Sequence, residues 1–180
     1  DILNSTMTNK KNVKDNLVDL ISKIGEKITL RRSAFIGKDK SINFSYTHSS
    51  LKKNVGKLGV LLSLETTKEK NEITEFGKQL AMQVAATSPL AIDKNNLDAN
   101  IIQKEKEIIT EQLKSTGKDS KVVDKIILGK LNKFISDNTL LNQEWIMDSK
   151  KKVKDVIKEV GGKDKIDIKN FFRFKVGEGI

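Results

Sequence analysis

Covalent catalysis needs a nucleophile with a base in reach, and one stretch of the chain brings the right residue types together. His48 stands beside Ser49 and Ser50 in Tyr-Thr-His-Ser-Ser. Neighbours in sequence cannot supply triad geometry, so the run predicts a hydrogen-bonded histidine in a loop. His48 is the only histidine, and the chain has no cysteine. The common zinc ligand sets cannot be built from that inventory, and disulfide and thiol chemistry are excluded. Gly56 and Gly59, in Lys-Asn-Val-Gly-Lys-Leu-Gly, lack the full phosphate-loop pattern and the helix after it. Val-Gly-Glu-Gly-Ile follows a strand with no helix behind it to receive a phosphate. Carboxylates are numerous but sit near lysines at helical spacing, as in Lys104/Glu107 and Lys121/Asp124, which is the pattern of surface pairs. No catalytic residue, metal site or cofactor is predicted. The expected class is a binding or regulatory protein and not an enzyme.

A different kind of site is suggested by residues 76–89, Phe-Gly-Lys-Gln-Leu-Ala-Met-Gln-Val-Ala-Ala-Thr-Ser-Pro. Stepping about 100° per residue from Ile73 gathers Phe76, Gly77, Leu80, Val84 and Ser88 on one helical face. Gly77, Ala81 and Ala85 form a small-residue ridge that lets the helix lie close to a sheet or another helix. The outer strip carries Met82, Gln83 and Ala86, where a solvated face would carry charge. Two readings are open for it. Gln83 borders the core and hydrogen-bonds a neighbouring loop, or the strip meets a protein partner, whose contact surfaces tolerate modest polarity but little charge. In the second reading Gln83→Ala leaves the fold intact.

The formal net charge of +10 invites a nucleic-acid partner. Only Arg31, Arg32 and Arg173 are arginine, however, and the lysines are interleaved with Asp and Glu; the densest cluster is Lys-Lys-Lys-Val-Lys at 150–154. The planar fork favoured for phosphate and base edges is nearly absent. A solvated basic surface and an anionic partner such as RNA or the ribosome both stay open on charge alone. No run of about 18 apolar residues exists, so no membrane span is expected. The first residues have no signal-peptide core, and with the absence of cysteine this leads to an expected cytoplasmic location. The chain begins without an initiator Met and is read as part of something longer.

The elements follow from periodicity. Residues 11–27 form a helix through Val13, Leu17, Leu20, Ile21 and Ile24, stopped by Gly25. A strand over 28–36 puts Ile28, Leu30, Arg32, Ala34 and Ile36 on one face, and 37–40 turn the chain. Strands follow at 41–48 and 55–64, the second apolar on both sides and therefore central. The helix of about 69–87 comes next and ends at Pro89. Residues 98–137 carry apolar pairs at 101/102, 108/109, 122/123 and 126/127 around the polar turn Ser-Thr-Gly-Lys-Asp-Ser. That is an antiparallel helical hairpin, a short projecting coiled coil. A helix at 151–160 and a final strand, Ile-Asp-Ile-Lys-Asn-Phe-Phe-Arg-Phe-Lys, close the chain. The stretches at 28–37 and 169–179 share a central Arg and a closing Gly, a faint sign of duplication.

Ile-Ser-Lys-Ile-Gly-Glu-Lys-Ile-Thr-Leu-Arg-Arg, Ser-Tyr-Thr-His, Lys-Leu-Gly-Val-Leu-Leu-Ser-Leu, Ala-Met-Gln-Val-Ala-Ala-Thr-Ser-Pro, Leu-Asn-Lys-Phe and Phe-Phe-Arg-Phe-Lys-Val-Gly-Glu-Gly-Ile occur in that order. In order and spacing they resemble the bacterial elongation factor Ts family over residues 17–180. The resemblance implies an α+β fold: an antiparallel sheet with helices on one face and a projecting antiparallel helical hairpin. It implies that 1–37 are the end of a first core subdomain and 38–180 the second, with the hairpin at 98–137. It implies a guanine-nucleotide exchange factor that binds GDP-loaded elongation factor Tu and promotes GDP release, with Gln83, Met82 and Ala86 as partner-binding residues. A homodimer is compatible with it, and no membrane, specific nucleic acid or cofactor is implied. The family's N-terminal helical module and its Thr-Asp-Phe-Val segment are expected to lie before residue 1. Many members have His where this chain has Gln83, the residue implicated in pressing on a helix of the GTPase. At Glu144-Trp145 the family usually has Pro-Phe, and Trp145 is expected to pack in the aromatic's place. Two alternatives are a docking or dimerisation fragment without exchange activity and a basic RNA- or ribosome-binding domain. Independently of function, Ala81→Leu is predicted to overpack the small ridge at about 1–3 kcal/mol, read as a lower melting temperature. An unchanged melting temperature would place the buried face elsewhere.

Overall fold

The computed structural model describes residues 2–37, 40–114 and 119–179. The chain divides into two compact units, Asp1–Phe35 and Ile36–Ile180. In the first, α1 (Val13–Ile24) starts where the Asn12 side chain accepts the Asp15 amide, and it ends at Gly25 with φ of 74°. A left-handed residue at that place suits glycine, and its amide closes the helix on the Ile21 carbonyl. The expected strand at 28–36 is not formed. Those residues have no regular structure, and Leu30 and Phe35 are exposed. Alternation sets which way side chains point, but a strand exists only through a ladder, and no strand partner stands in this unit among the described residues.

The second unit is built on a three-stranded antiparallel sheet in the order β1 (Ser41–Lys52), β2 (Val55–Thr66), β5 (Ile166–Lys175). β2 is central, as its two-sided apolar pattern requires. Leu58, Val60, Leu62 and Leu64 point to the core side and are all buried. Phe44 pairs with Leu62 across β1, while Phe171 and Ile168 pair with Leu62 and Leu64 across β5. Of the turn expected at 37–40, Lys38 and Asp39 lie outside the described residues.

Against that apolar face lies α2 (Lys70–Thr87). Its first turn is held by the Glu72 carboxylate, which accepts the Glu69 amide at 2.8 Å. Its last turn is closed by Ser88, in the left-handed region at φ of 50°, just before Pro89. Ile73, Leu80 and Val84 are fully buried, each stabilising the fold by about 1.5–3 kcal/mol. Gly77, Ala81 and Ala85 form the contact ridge read from the sequence, and Ala81 has no exposed surface. The seating is closest at Gly77, where a Cβ would stand 2.5 Å from the Phe44 ring. Arg173 ties β5 to the same helix, donating from Nε to the Ala85 carbonyl at 3.2 Å and pairing with Glu178 at 2.6 Å.

α3 (Ala99–Lys114) and α4 (Ser120–Asn138) form the antiparallel hairpin. Ile109, Leu113 and Ile127 make its inner seam; Ala91, Leu97 and Ile135 pack its base. Residues 115–118 of its polar turn lie outside the described residues. Leu140 and Leu141 donate to the Ala91 and Ile92 carbonyls, which anchors the end of α4 beside the segment leaving α2. A small hairpin, β3 (Glu144–Trp145) with β4 (Asp148–Lys152), then leads into α5 (Val153–Gly161). Trp145 is buried and stacks on Phe76 with ring centroids 6.0 Å apart, which places it as the expected packed aromatic. The sheet carries its principal helices on one face, and the helical hairpin extends from it: the α+β class expected from the sequence.

Two glycines test the seating of α2 in opposite directions. Gly129 sits in α4 with nothing within 4 Å of an added Cβ. Gly129→Ala is expected to stabilise by about 0.5–1 kcal/mol through helix propensity. Gly77→Ala makes the same propensity gain but forces the buried Phe44 ring aside, for a net loss of stability of about 1–2 kcal/mol. Thermal melts of the two variants should therefore shift in opposite senses; equal upward shifts would contradict the close approach.

Candidate functional site

Gln83 is the centre of a buried polar cluster. The sequence placed it at the margin of the core face, and its expected place on an exposed strip is corrected by the structure: its relative exposure is 0%. The margin of α2 is covered by the chain leaving α4, some sixty residues away. Gln83 Nε2 donates to the Glu144 carbonyl at 3.1 Å and lies 3.4 Å from Gln143 Oε1. Its Oε1 accepts the Ile146 amide at 2.8 Å. One amide thus holds a carbonyl and an N–H two residues apart, which fixes the backbone around the turn between β3 and β4.

Gln143 carries the cluster further. Its Nε2 donates to the Asp137 carbonyl at 2.8 Å, gripping the last turn of α4. The Thr87 hydroxyl stands 2.7 Å from Gln143 Oε1 and 2.8 Å from the Gln83 carbonyl, with one proton for two acceptors. Thr139 is fully buried; its hydroxyl donates to the Ile135 carbonyl and accepts from Asn142. Among the described residues no buried side-chain nitrogen or oxygen lacks a partner. Satisfied clusters of this kind specify one backbone arrangement, because every alternative leaves a desolvated polar group unpaired.

The cluster lies behind a surface. Ala86 is exposed and Met82 half-exposed on the neighbouring flank of α2. At the turn held by Gln83, Ile146 is 39% and Met147 48% exposed. A groove of about 540 Å³ opens beside them, bordered by Thr87, Lys133, Asn142, Trp145, Ile146 and Lys152. Ile146 and Met147 carried no periodic signal in the sequence. An uncharged pair in a turn next to an alkaline run was the only sign available.

The other sequence candidates are not drawn together. His48 lies within β1 and not in the expected loop; it is hydrogen-bonded, with Nδ1 3.0 Å from the Tyr46 hydroxyl, and the Ser50 hydroxyl donates to the Thr47 carbonyl. No group of His, Cys, Asp or Glu able to hold a metal occurs among the described residues. Among the described residues no helix is long and apolar enough to cross a membrane. Arg173 is spent inside the fold, on Ala85 and Glu178.

Burial changes what Gln83→Ala should do. The change orphans the Ile146 amide and loosens Glu144, so it is expected to lower stability by about 1–3 kcal/mol, in contrast to the neutral effect expected of an exposed strip. Gln83→Met, which keeps volume but not hydrogen bonding, should be nearly as harmful. Denaturant unfolding of both variants checks this; wild-type midpoints would contradict the buried cluster.

A family model described as elongation factor TS matches residues 1–178. The elongation factor Ts of Clostridium kluyveri is 41% identical over 174 residues, covering 94% of this chain and 55% of that protein. The Bartonella henselae and Gluconobacter oxydans proteins of the same name are 38% and 35% identical, over 175 and 170 residues. They are covered to 56% and 55% of their lengths, so the chain spans about half the length of the curated relatives it matches. With its match over 178 residues and its ordered landmarks on one α+β scaffold, the chain belongs to the elongation factor Ts family.

Proposed function

We propose that this chain carries the core of a guanine-nucleotide exchange factor for elongation factor Tu, acting by binding and not by chemistry of its own. Membership of the elongation factor Ts family over nearly the whole chain is the observation that carries the reading. In it, residues 1–37 are the end of a first core subdomain and 38–180 the second. The GTPase is met by Met82 and Ala86 together with the Ile146–Met147 turn, and Gln83 acts from behind, holding that turn against α2. Where many relatives have His, the Gln amide supplies one donor group and one acceptor in fixed orientation and does not titrate, so this support is independent of pH near neutrality.

An exchange factor works by differential affinity. It must bind the nucleotide-free GTPase more tightly than the GDP-bound form, and each 1.4 kcal/mol of that difference is worth about tenfold in GDP affinity. A surface held rigid before contact helps, because ordering the turn on binding would subtract from the difference. A second reading is docking on the same GTPase without exchange.

Release of fluorescent GDP from elongation factor Tu separates the two. Acceleration well above the intrinsic rate supports exchange, and pull-down without acceleration supports docking alone. Absence of both would overturn the family-based reading for this chain. Met147→Lys combined with Ala86→Lys, lysine being a good helix former suited to the last turn of α2, is expected to weaken binding to the GTPase about tenfold or more with little change in melting temperature. Unaltered binding by that variant would move the contact away from this flank.

A further inference from the structure

A second concave surface lies on the unit built around the sheet, with no residue in common with the Gln83 cluster. It is a groove of about 830 Å³ between α5, the segment after α2 and the first half of β5. Every residue from 165 to 169 lines it. Successive side chains of a strand point to opposite faces, so a groove bordered by the four strand residues 166–169 in a row meets the strand edge-on. Among the described residues β5 is an edge strand, paired with β2 on one side only. Its unpaired backbone groups are a template for another strand.

The side chains around that edge divide into a floor and a rim. Ile157 and Ile166 are buried and, with Ile168 and Leu141, make an aliphatic floor. Lysines dominate the rim. Asp93 caps the amides of Asn95 and Asn96, Asp167 is paired with Lys165 at 2.7 Å, and Asp164 accepts from Thr67 at 2.8 Å with Lys68 at 3.5 Å. The Thr67 hydroxyl, with Lys68, holds the Asp164 carboxyl below the ordinary carboxylate range. The groove's acids are thus already engaged. Lys154, Lys158 and Lys163 are exposed, and among the described residues none forms an ion pair.

We propose that this groove takes an extended acidic protein segment, with Asp or Glu alternating with aliphatic residues, which adds to β5 as a fourth strand. Backbone pairing along 166–169 supplies affinity, the aliphatic floor receives alternate side chains, and Lys154, Lys158 and Lys163 select for acidic residues on the others. Rim lysines repel a second copy of the same edge, so the occupant is a different, acidic chain. RNA fits less well, because the lining has neither an aromatic ring for a base to stack on nor an arginine fork.

The probe is a fluorescein-labelled octapeptide alternating Glu and Val, titrated with the chain and read by anisotropy. Expected are saturable binding, about tenfold weaker binding to Lys154→Glu/Lys158→Glu, and a similar loss when alternate peptide amides are N-methylated. Both lysines are exposed, so the variant should melt as the wild type does. Absence of saturable binding, or equal binding by variant and wild type, would overturn the proposal. Tighter binding of a poly(U) oligonucleotide that displaces the peptide would overturn it in favour of a nucleic-acid surface. Loss on charge reversal without loss on N-methylation would remove the added strand. None of these outcomes depends on GDP release.

Discussion

Much of this structure depends on how closely α2 lies on the sheet. Gly77 leaves no room for a Cβ above Phe44, and Ala81 and Ala85 continue the same ridge. A helix seated that deeply has its rotation fixed, since turning it would drive Lys78 or Gln79 into the apolar face of β2. With rotation fixed, the residues at the margin of the face are fixed as well. Gln83 is then directed at the segment that follows α4, and Thr87 lies one turn further along the same side. Phe76, on the core face, is held where Trp145 can stack on it. Tight backbone approach and the polar cluster are therefore two consequences of one placement.

The cluster converts that placement into control of a surface. Apolar packing alone tolerates small slides between elements, because dispersion is non-directional. Hydrogen bonds from one buried amide to Glu144 and Ile146 do not tolerate them, since each displaced group would be left unpaired out of water. The turn with Ile146 and Met147 is exposed, yet its backbone is held from the core. For a protein whose proposed action is differential binding, a contact surface ordered in advance is the useful property.

The long elements were legible in the sequence because each carried several repeats of its own period. α2, with its small ridge, and the two arms of the hairpin are of that kind, and β2 was readable as central from its two-sided apolarity. The pattern at 28–36 alternates equally well and forms no strand, because alternation says nothing about whether a partner is at hand. β3 has two residues, too few to show any period. Gln83 was unreadable for a related reason. Its angle on α2 put it at the margin of the core, and whether a margin is covered is decided by the fold of 143–146, which no local pattern in 76–89 records. The alternative of a hydrogen bond to a neighbouring loop named the right kind of interaction without being able to name the loop.

Amide hydrogen exchange followed by NMR gives the most direct test of Gln83 as an internal support. Ile146 lies next to a surface turn and is 39% exposed, so position alone would let its amide exchange rapidly. Acceptance of that amide by Gln83 Oε1 at 2.8 Å predicts protection comparable to that of the core amides of α2, such as Leu80. Exchange at Ile146 as fast as at the neighbouring Met147 would contradict the account. The turn would then be mobile in its own right, and Gln83 would not be what holds it.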